Sequence, residues 1–277
     1  MGFLDLLNPD GRRYRQELKE QAREYRQEAK EILSDAKDLY DDYKDVRGEA
    51  RRAANELESM LKNHNNYKAD ILRELGNDIN VSIENFRRFN INSRITSPPN
   101  IDTSAPIIPS IISGFNAITT PFNPVSIAFS VFSDPERDRD EASRQKDAAQ
   151  EYYWKVKDAL QDVQCLYESL NNSRKYIEDE KSNLTQLMEK VRNIVGQLNA
   201  AMNRNSFTDK EARYMTGISK IAEKIKNSLE QRILNGSGNI ENNYKLYSGK
   251  IKEINKLIPS SPTISSSSDW VERLLTY

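Results

Sequence analysis

From Leu18 to Ile71 apolar residues return at alternating steps of four and three. The run is Leu18, Ala22, Tyr25, Ala29, Ile32, Ala36, Leu39, Tyr43, Val46, Ala50, Ala53, Leu57, Met60, His64, Tyr67 and Ile71. A mean spacing of about 3.5 residues keeps one stripe facing a partner helix along its whole length, which is the coiled-coil condition. The same stepping recurs from Ala149 through Tyr153, Val156, Leu160, Val163, Tyr167, Leu170, Arg174, Ile177, Lys181, Leu184, Met188, Val191, Val195 and Leu198 to Met202. Arg174 and Lys181 interrupt this second stripe and are read as long side chains that bury their stems and lift their charges to water. Charged residues make up 30% of the chain and the hydrophobic set 37%. Those proportions suit long helices with narrow seams better than a thick globular core. The expected fold is all-α: an elongated antiparallel coiled coil or helical bundle, each arm of about 60 residues reaching on the order of 90 Å.

The breaks divide the chain. A first arm covers 1–97, with the turn Asn8-Pro9-Asp10-Gly11 at its start. Past Ile71 its seam slips to steps of four at Gly76-Asn77-Asp78, so Gly76 is a hinge candidate, together with Pro98 and Pro99 at the arm's end. A second arm covers 134–204, opened by Asp134 as N-cap and Pro135 in the first helical position. Two shorter helices are expected in 205–258. The first is introduced by the capping box Thr208-Asp209-Lys210-Glu211 and carries Ala212, Met215, Ile218, Ala222, Ile225 and Leu229. It is stopped by Asn235-Gly236-Ser237-Gly238, and the second carries Ile240, Tyr244, Tyr247, Ile251, Ile254 and Ile258. A tail, 259–277, holds a mobile Ser/Pro-rich linker and a terminal amphipathic piece, Asp269–Leu275, expected to dock on the bundle.

Between the arms lies a head, 98–133, and no charged residue stands between Asp102 and Asp134. Prolines at 106, 109, 121 and 124 exclude one straight transmembrane helix. Val125, Ile127, Phe129 and Val131 alternate with Ser126, Ala128 and Ser130, the period of a strand with one apolar side. The part around Ile111, Phe115 and Ile118 fits a short helix equally well. The candidates for insertion into lipid are Ile107, Ile108, Ile111, Ile112, Phe115, Ile118, Phe122, Val125, Ile127, Phe129, Val131 and Phe132. Each gains roughly 1.5–3 kcal/mol when fully removed from water.

Catalytic chemistry is not legible. One histidine and one cysteine cannot assemble a zinc cluster or a histidine-based triad, and there is no phosphate-binding glycine loop. His64, in the seam, is read as a packing or register residue, and Cys165 as an ordinary thiol. Asp134, Glu136, Asp138 and Asp140 superficially suggest a calcium loop, but Arg139 and Gln145 occupy positions that need glycine and glutamate. No cofactor, metal or enzymatic activity is expected. Lysine plus arginine (41) balances aspartate plus glutamate (42), which argues against nucleic acid as a partner. Residues 1–7 lack a cleavable secretory signal. The expected location is therefore cytoplasmic, or membrane-associated after export by a non-classical route. The same residues also fit an amphipathic foot of a peripheral membrane-remodelling protein.

The order of parts, with arms Leu18–Ile71 and Ala149–Met202 flanking the uncharged stretch Ala105–Phe132, resembles the cytolysin A-type α-helical pore-forming toxins. That resemblance implies an apolar head masked in the free protein and released during oligomeric pore assembly. The expected function is thus a non-enzymatic, membrane-active protein with a lipid bilayer and like or unlike subunits as partners. The alternative is a coiled-coil scaffold whose apolar segment packs internally or on a partner.

Overall fold

The computed structural model describes residues 9–88, 129–203, 208–235, 238–264 and 269–276. The protein is all-α. Helix α1 runs Pro9–Arg88, α2 Pro135–Asn203, α3 Asp209–Leu229, α4 Asn242–Leu257 and α5 Asp269–Thr276. The one β feature among the described residues is an isolated antiparallel bridge, Leu234 to Ile240. It closes the turn between α3 and α4, where Gly238 takes a positive φ of 75° that a side chain disfavours.

Helix boundaries follow local chemistry. Asp134 accepts a hydrogen bond from the Glu136 N–H at 3.1 Å and starts α2 ahead of Pro135. Thr208 and Glu211 form the capping box of α3, with the Thr208 N–H donating to the Glu211 carboxylate at 2.8 Å. Lys190 caps the other end of a neighbour, donating to the carbonyls of Asn255 and Ile258 at the close of α4. The chain stays helical through Gly76-Asn77-Asp78, where Leu75 and Ile79 are fully buried. Pro98 and Pro99 lie outside the described residues.

Two compact units divide the chain, and the cut crosses both long helices. One unit draws on residues up to Ala53 and on Ile112–Glu168, the other on Ala54–Ile111 and Ser169–Tyr277. In the first, α1 and α2 form a narrow seam in which Ala22, Ala29, Ala36, Tyr43 and Ala50 are buried every seventh residue. A small cluster of Ala36, Tyr152 and Val156 anchors it, flanked by Leu33, Leu39, Tyr40 and Tyr153. In the second unit the buried stripe widens to adjacent pairs such as His64 and Asn65, Lys68 and Ala69, and Ile71 and Leu72. There the later parts of α1 and α2 pack with α3 and α4 into a four-helix bundle around Leu72, Leu184, Val191, Ile218, Ile225 and Ile254.

The two long helices run parallel, which corrects the antiparallel expectation. In the second unit Glu56 pairs with Arg174, Tyr67 with Thr185 and Glu74 with Arg192, each pair 118 residues apart. In the first unit Glu28 pairs with Lys146, and Arg26 with the earlier Asp138. Partner numbers rise together on both helices, whereas antiparallel neighbours would have one rise as the other falls. A heptad stripe fixes which face of a helix is buried and carries no mark of direction, so the pattern is equally good for either sense. Parallel neighbours cannot be joined by a turn at one end and need a long crossover. Parallel helices do not form the hairpin whose tip the uncharged segment was expected to occupy, and that segment lies mostly outside the described residues.

The tail also departs from expectation. Gln197 of α2 donates to the Pro262 carbonyl at 2.7 Å and accepts from the Ile264 N–H at 2.9 Å. Pro262 and Ile264 are buried, so this part of the Ser/Pro-rich stretch is strapped to α2 and is not a free linker. Helix α5 docks on α3 through Trp270, Val271 and Leu274.

Candidate functional site

Two places gather chemistry that the packing of apolar faces does not require. The first is the foot of the uncharged segment. Ile107, Ile108, Ile111, Ile112, Phe115, Ile118, Phe122, Val125 and Ile127 lie outside the described residues, and Phe129, Val131 and Phe132 lie within them. Phe129–Phe132 is in neither helix nor strand. It is clasped to the first unit by Arg26, whose guanidinium donates to the Ser130 carbonyl at 3.1 Å and to both oxygens of the Asp138 carboxylate. Asp138 in turn accepts the Phe132 N–H at 2.6 Å. Gln145 donates to the Ser130 hydroxyl at 3.3 Å.

The side chains divide differently from the expected alternation. Ser130 is tied to the helices, while Val131 is 74% exposed. Phe129 is half-buried with the Lys30 ammonium 5.8 Å from its ring centre, and Phe132 lies beneath the Arg137 guanidinium at 4.4 Å. Hydrogen-bonding demand overrides the period of two here, because a buried guanidinium takes whichever carbonyl and carboxylate it can reach. Burial pushes the Asp138 carboxyl up, but the Arg26 guanidinium and the Phe132 amide outweigh it and hold it below its ordinary value. The clasp's contribution is therefore present at neutral pH and lost as pH falls through that lowered value. Asp138→Ala removes charge-assisted bonds worth about 1.5–3 kcal/mol. Hydrogen exchange at the Phe132 amide is expected to speed up by roughly ten- to a hundred-fold.

The second place is a polar cluster inside the four-helix unit. Glu180 of α2 sits 2.8 Å from the Lys68 ammonium and 3.2 Å from His64 Nε2, both on α1 one turn apart. Lys68 also donates to the Ser228 hydroxyl of α3 at 2.7 Å and to the Tyr244 hydroxyl of α4 at 2.6 Å. The Tyr244 hydroxyl donates to Glu180 at 2.5 Å. Tyr176 of α2 leans on the Tyr244 ring at 6.4 Å and hydrogen-bonds Ser248. All four helices thus meet at one carboxylate and one ammonium, neither more than 2% exposed.

Burial pushes the Glu180 carboxyl up, but the Lys68 charge and the His64 contact prevail and hold it at about 2. Burial pushes the Lys68 ammonium and the His64 ring down and the Tyr244 hydroxyl well above 10. Glu180 and Lys68 form a buried ion pair, and with the Ser228 and Tyr244 hydroxyls they tie the four helices together.

Sequence reasoning placed His64 in the seam and missed its partners. Arg174 and Lys181, marked as interruptions, face outward, Arg174 pairing with Glu56 and Glu178. The buried residues are their predecessors, Ser173 and Glu180. Ser173 donates to the Gly238 carbonyl at 2.7 Å, fixing the α3–α4 turn on α2. The available signal was the pair His64 and Lys68, four residues apart on one helix face.

No family model, curated protein or solved structure matches the chain. Any functional conclusion rests on the chemistry of these residues.

Proposed function

We propose that this chain is a non-enzymatic helical protein that acts on lipid membranes through the uncharged segment Ala105–Phe132, in the manner expected of a pore-forming toxin component. The observation that carries the proposal is the charge gap from Asp102 to Asp134 in a chain with 30% charged residues. No helix among the described residues is long and apolar enough to cross a membrane. The Arg26–Asp138 clasp holds the described end of this segment, Phe129–Phe132, so insertion requires its release.

The clasp also favours a second reading, in which the segment is a structural strap of a coiled-coil scaffold and never leaves. Leakage of dye-loaded vesicles separates the two. Because parallel helices need their connection, the control replaces Ala105–Phe132 by a Gly/Ser linker of equal length rather than deleting it. The membrane reading expects leakage from the native chain and its loss on replacement. Equal leakage from both, or none from the native chain under any oligomeric condition, supports the scaffold.

A further inference from the structure

Within the cluster of the four-helix unit, His64 is loosely held. It is 1% exposed; its Nε2 stands 3.2 Å from Glu180 without a well-formed hydrogen bond, and its Nδ1 has no hydrogen-bond partner among the described residues. A neutral ring with its proton on Nε2 suits this arrangement, since Nδ1 then needs no acceptor. A second proton would add a donor at Nδ1 with nothing to receive it. It would also set two cations, His64 and Lys68, against the single carboxylate of Glu180. The charged groups around the ring are Lys68 on its own helix and Glu180 and Lys181 from α2. Helices α3 and α4 contribute the hydroxyls of Ser228, Tyr244 and Ser248 to the cluster, and among the described residues no second anion faces the ring.

We propose that His64 is an acid-sensing switch for the carboxy-terminal helices: its protonation breaks the cluster at which α1, α2, α3 and α4 meet and releases α4 from the bundle. Helix α4 is the element that moves because Tyr244, near its start, closes the cluster over Lys68 and Glu180. Its withdrawal lets water reach the charges. The switch does not depend on the lipid-active function and holds equally for a scaffold.

The sign follows from linkage. Burial lowers the proton affinity of the closed-state ring from its ordinary value near 6.5. An opened, hydrated ring binds a proton below about 6.5. Opening therefore takes up one proton, and the opening constant rises by up to about tenfold for each pH unit below that point. Glu180, held at about 2, adds its own loss only below the free carboxyl value of 4.5. The interval between about pH 6.5 and 5 thus isolates the histidine.

Hydrogen exchange of the α4 amides across that interval, corrected for intrinsic rates, tests the switch on the full chain. The native protein is expected to show α4 opening rise as pH falls, by up to about tenfold per pH unit. His64→Gln, which keeps a donor for Glu180 and cannot titrate, is expected to flatten the profile. The chain has one histidine, so its ring resonance is unambiguous and serves even where the variant does not fold. A ring that takes up its proton only as the α4 amides lose protection supports the switch. A native ring that titrates freely near 6.5 with α4 protection unchanged overturns it, and so does an H64Q profile as steep as the native one.

Discussion

Glu180→Leu is expected to destabilise the four-helix unit by about 3–5 kcal/mol, as removal of one partner from a buried ion pair does. The leucine fills the volume well enough, but it leaves the Lys68 ammonium fully buried with only the hydroxyls of Ser228 and Tyr244 around it. Lys68→Met should cost a comparable amount, because Glu180 then keeps only neutral neighbours, His64 and Tyr244. The double variant K68M/E180L removes both charges at once. It should lose clearly less than the sum of the singles, with a coupling of at least about 2 kcal/mol. It does not return fully to the native value, since the Tyr244 and Ser228 hydroxyls stay buried with fewer partners. Urea unfolding followed by probes in α3 and α4 measures the cycle, because two units need not unfold together. Additive single costs would mean that the charges act separately and that the cluster is not the joint of the bundle.

The stripe that announced the two long helices gave one of its two lines accurately and the other only in part. Ala149, Val156, Val163, Leu170, Ile177, Leu184, Val191 and Leu198 are all buried, as their seven-residue spacing requires. The intervening line holds at Leu160, Met188, Val195 and Met202 and is displaced by one residue between and before them: Tyr152 is buried instead of Tyr153, Leu166 instead of Tyr167, and Ser173 and Glu180 instead of Arg174 and Lys181. At each site a step of three competes with a step of four, and side-chain character alone decides poorly between adjacent tyrosines. For Glu180 the deciding partner stands 112 residues away, as the subtraction 180 − 68 shows, and hydrophobic patterning does not register a paired charge. The widening of the α1 face beyond Ala54 was equally hidden. Its cause is the arrival of α3 and α4, whose own faces were legible through Ala212, Met215, Ile218, Ile251 and Ile254. Helix direction was hidden for a different reason, since the seam is the same read from either end. The clasp was half visible: Asp138 was noticed among acidic residues at a helix start, whereas Arg26 lies on what looked like the solvated face.

Gly217→Leu is expected to eject α5 and with it the end of the chain. A β-carbon built on Gly217 would lie 3.3 Å from Leu274 Cδ2 and 3.7 Å from Val271 Cγ1, so α3 receives α5 at a spot with room for little more than a hydrogen. Alanine there meets only the far end of a flexible leucine. The small shift is offset by a helix-propensity gain of up to about 1 kcal/mol, which leaves Gly217→Ala near neutral. Leucine adds three further carbons in the path of Val271 and Leu274, beyond what rotamer changes absorb. Eight residues do not hold a helix in water alone, so an undocked α5 is an unfolded α5. Trp270 reports the change. It is 6% exposed and packs edge-on against Tyr214 at 5.5 Å, whereas the other tryptophan, Trp154, is 50% exposed. In a Trp154→Phe background the emission should shift to the red in G217L and stay blue in G217A. Trp270→Ala should release α5 as well, with a cost of about 3–5 kcal/mol. Trp270→Phe should cost much less than its lost volume suggests, because the indole N–H it removes is buried without a partner among the described residues. Unchanged emission in G217L would show that the dock tolerates a side chain, and that α5 is held chiefly through the strap at Gln197 rather than through its contact with α3.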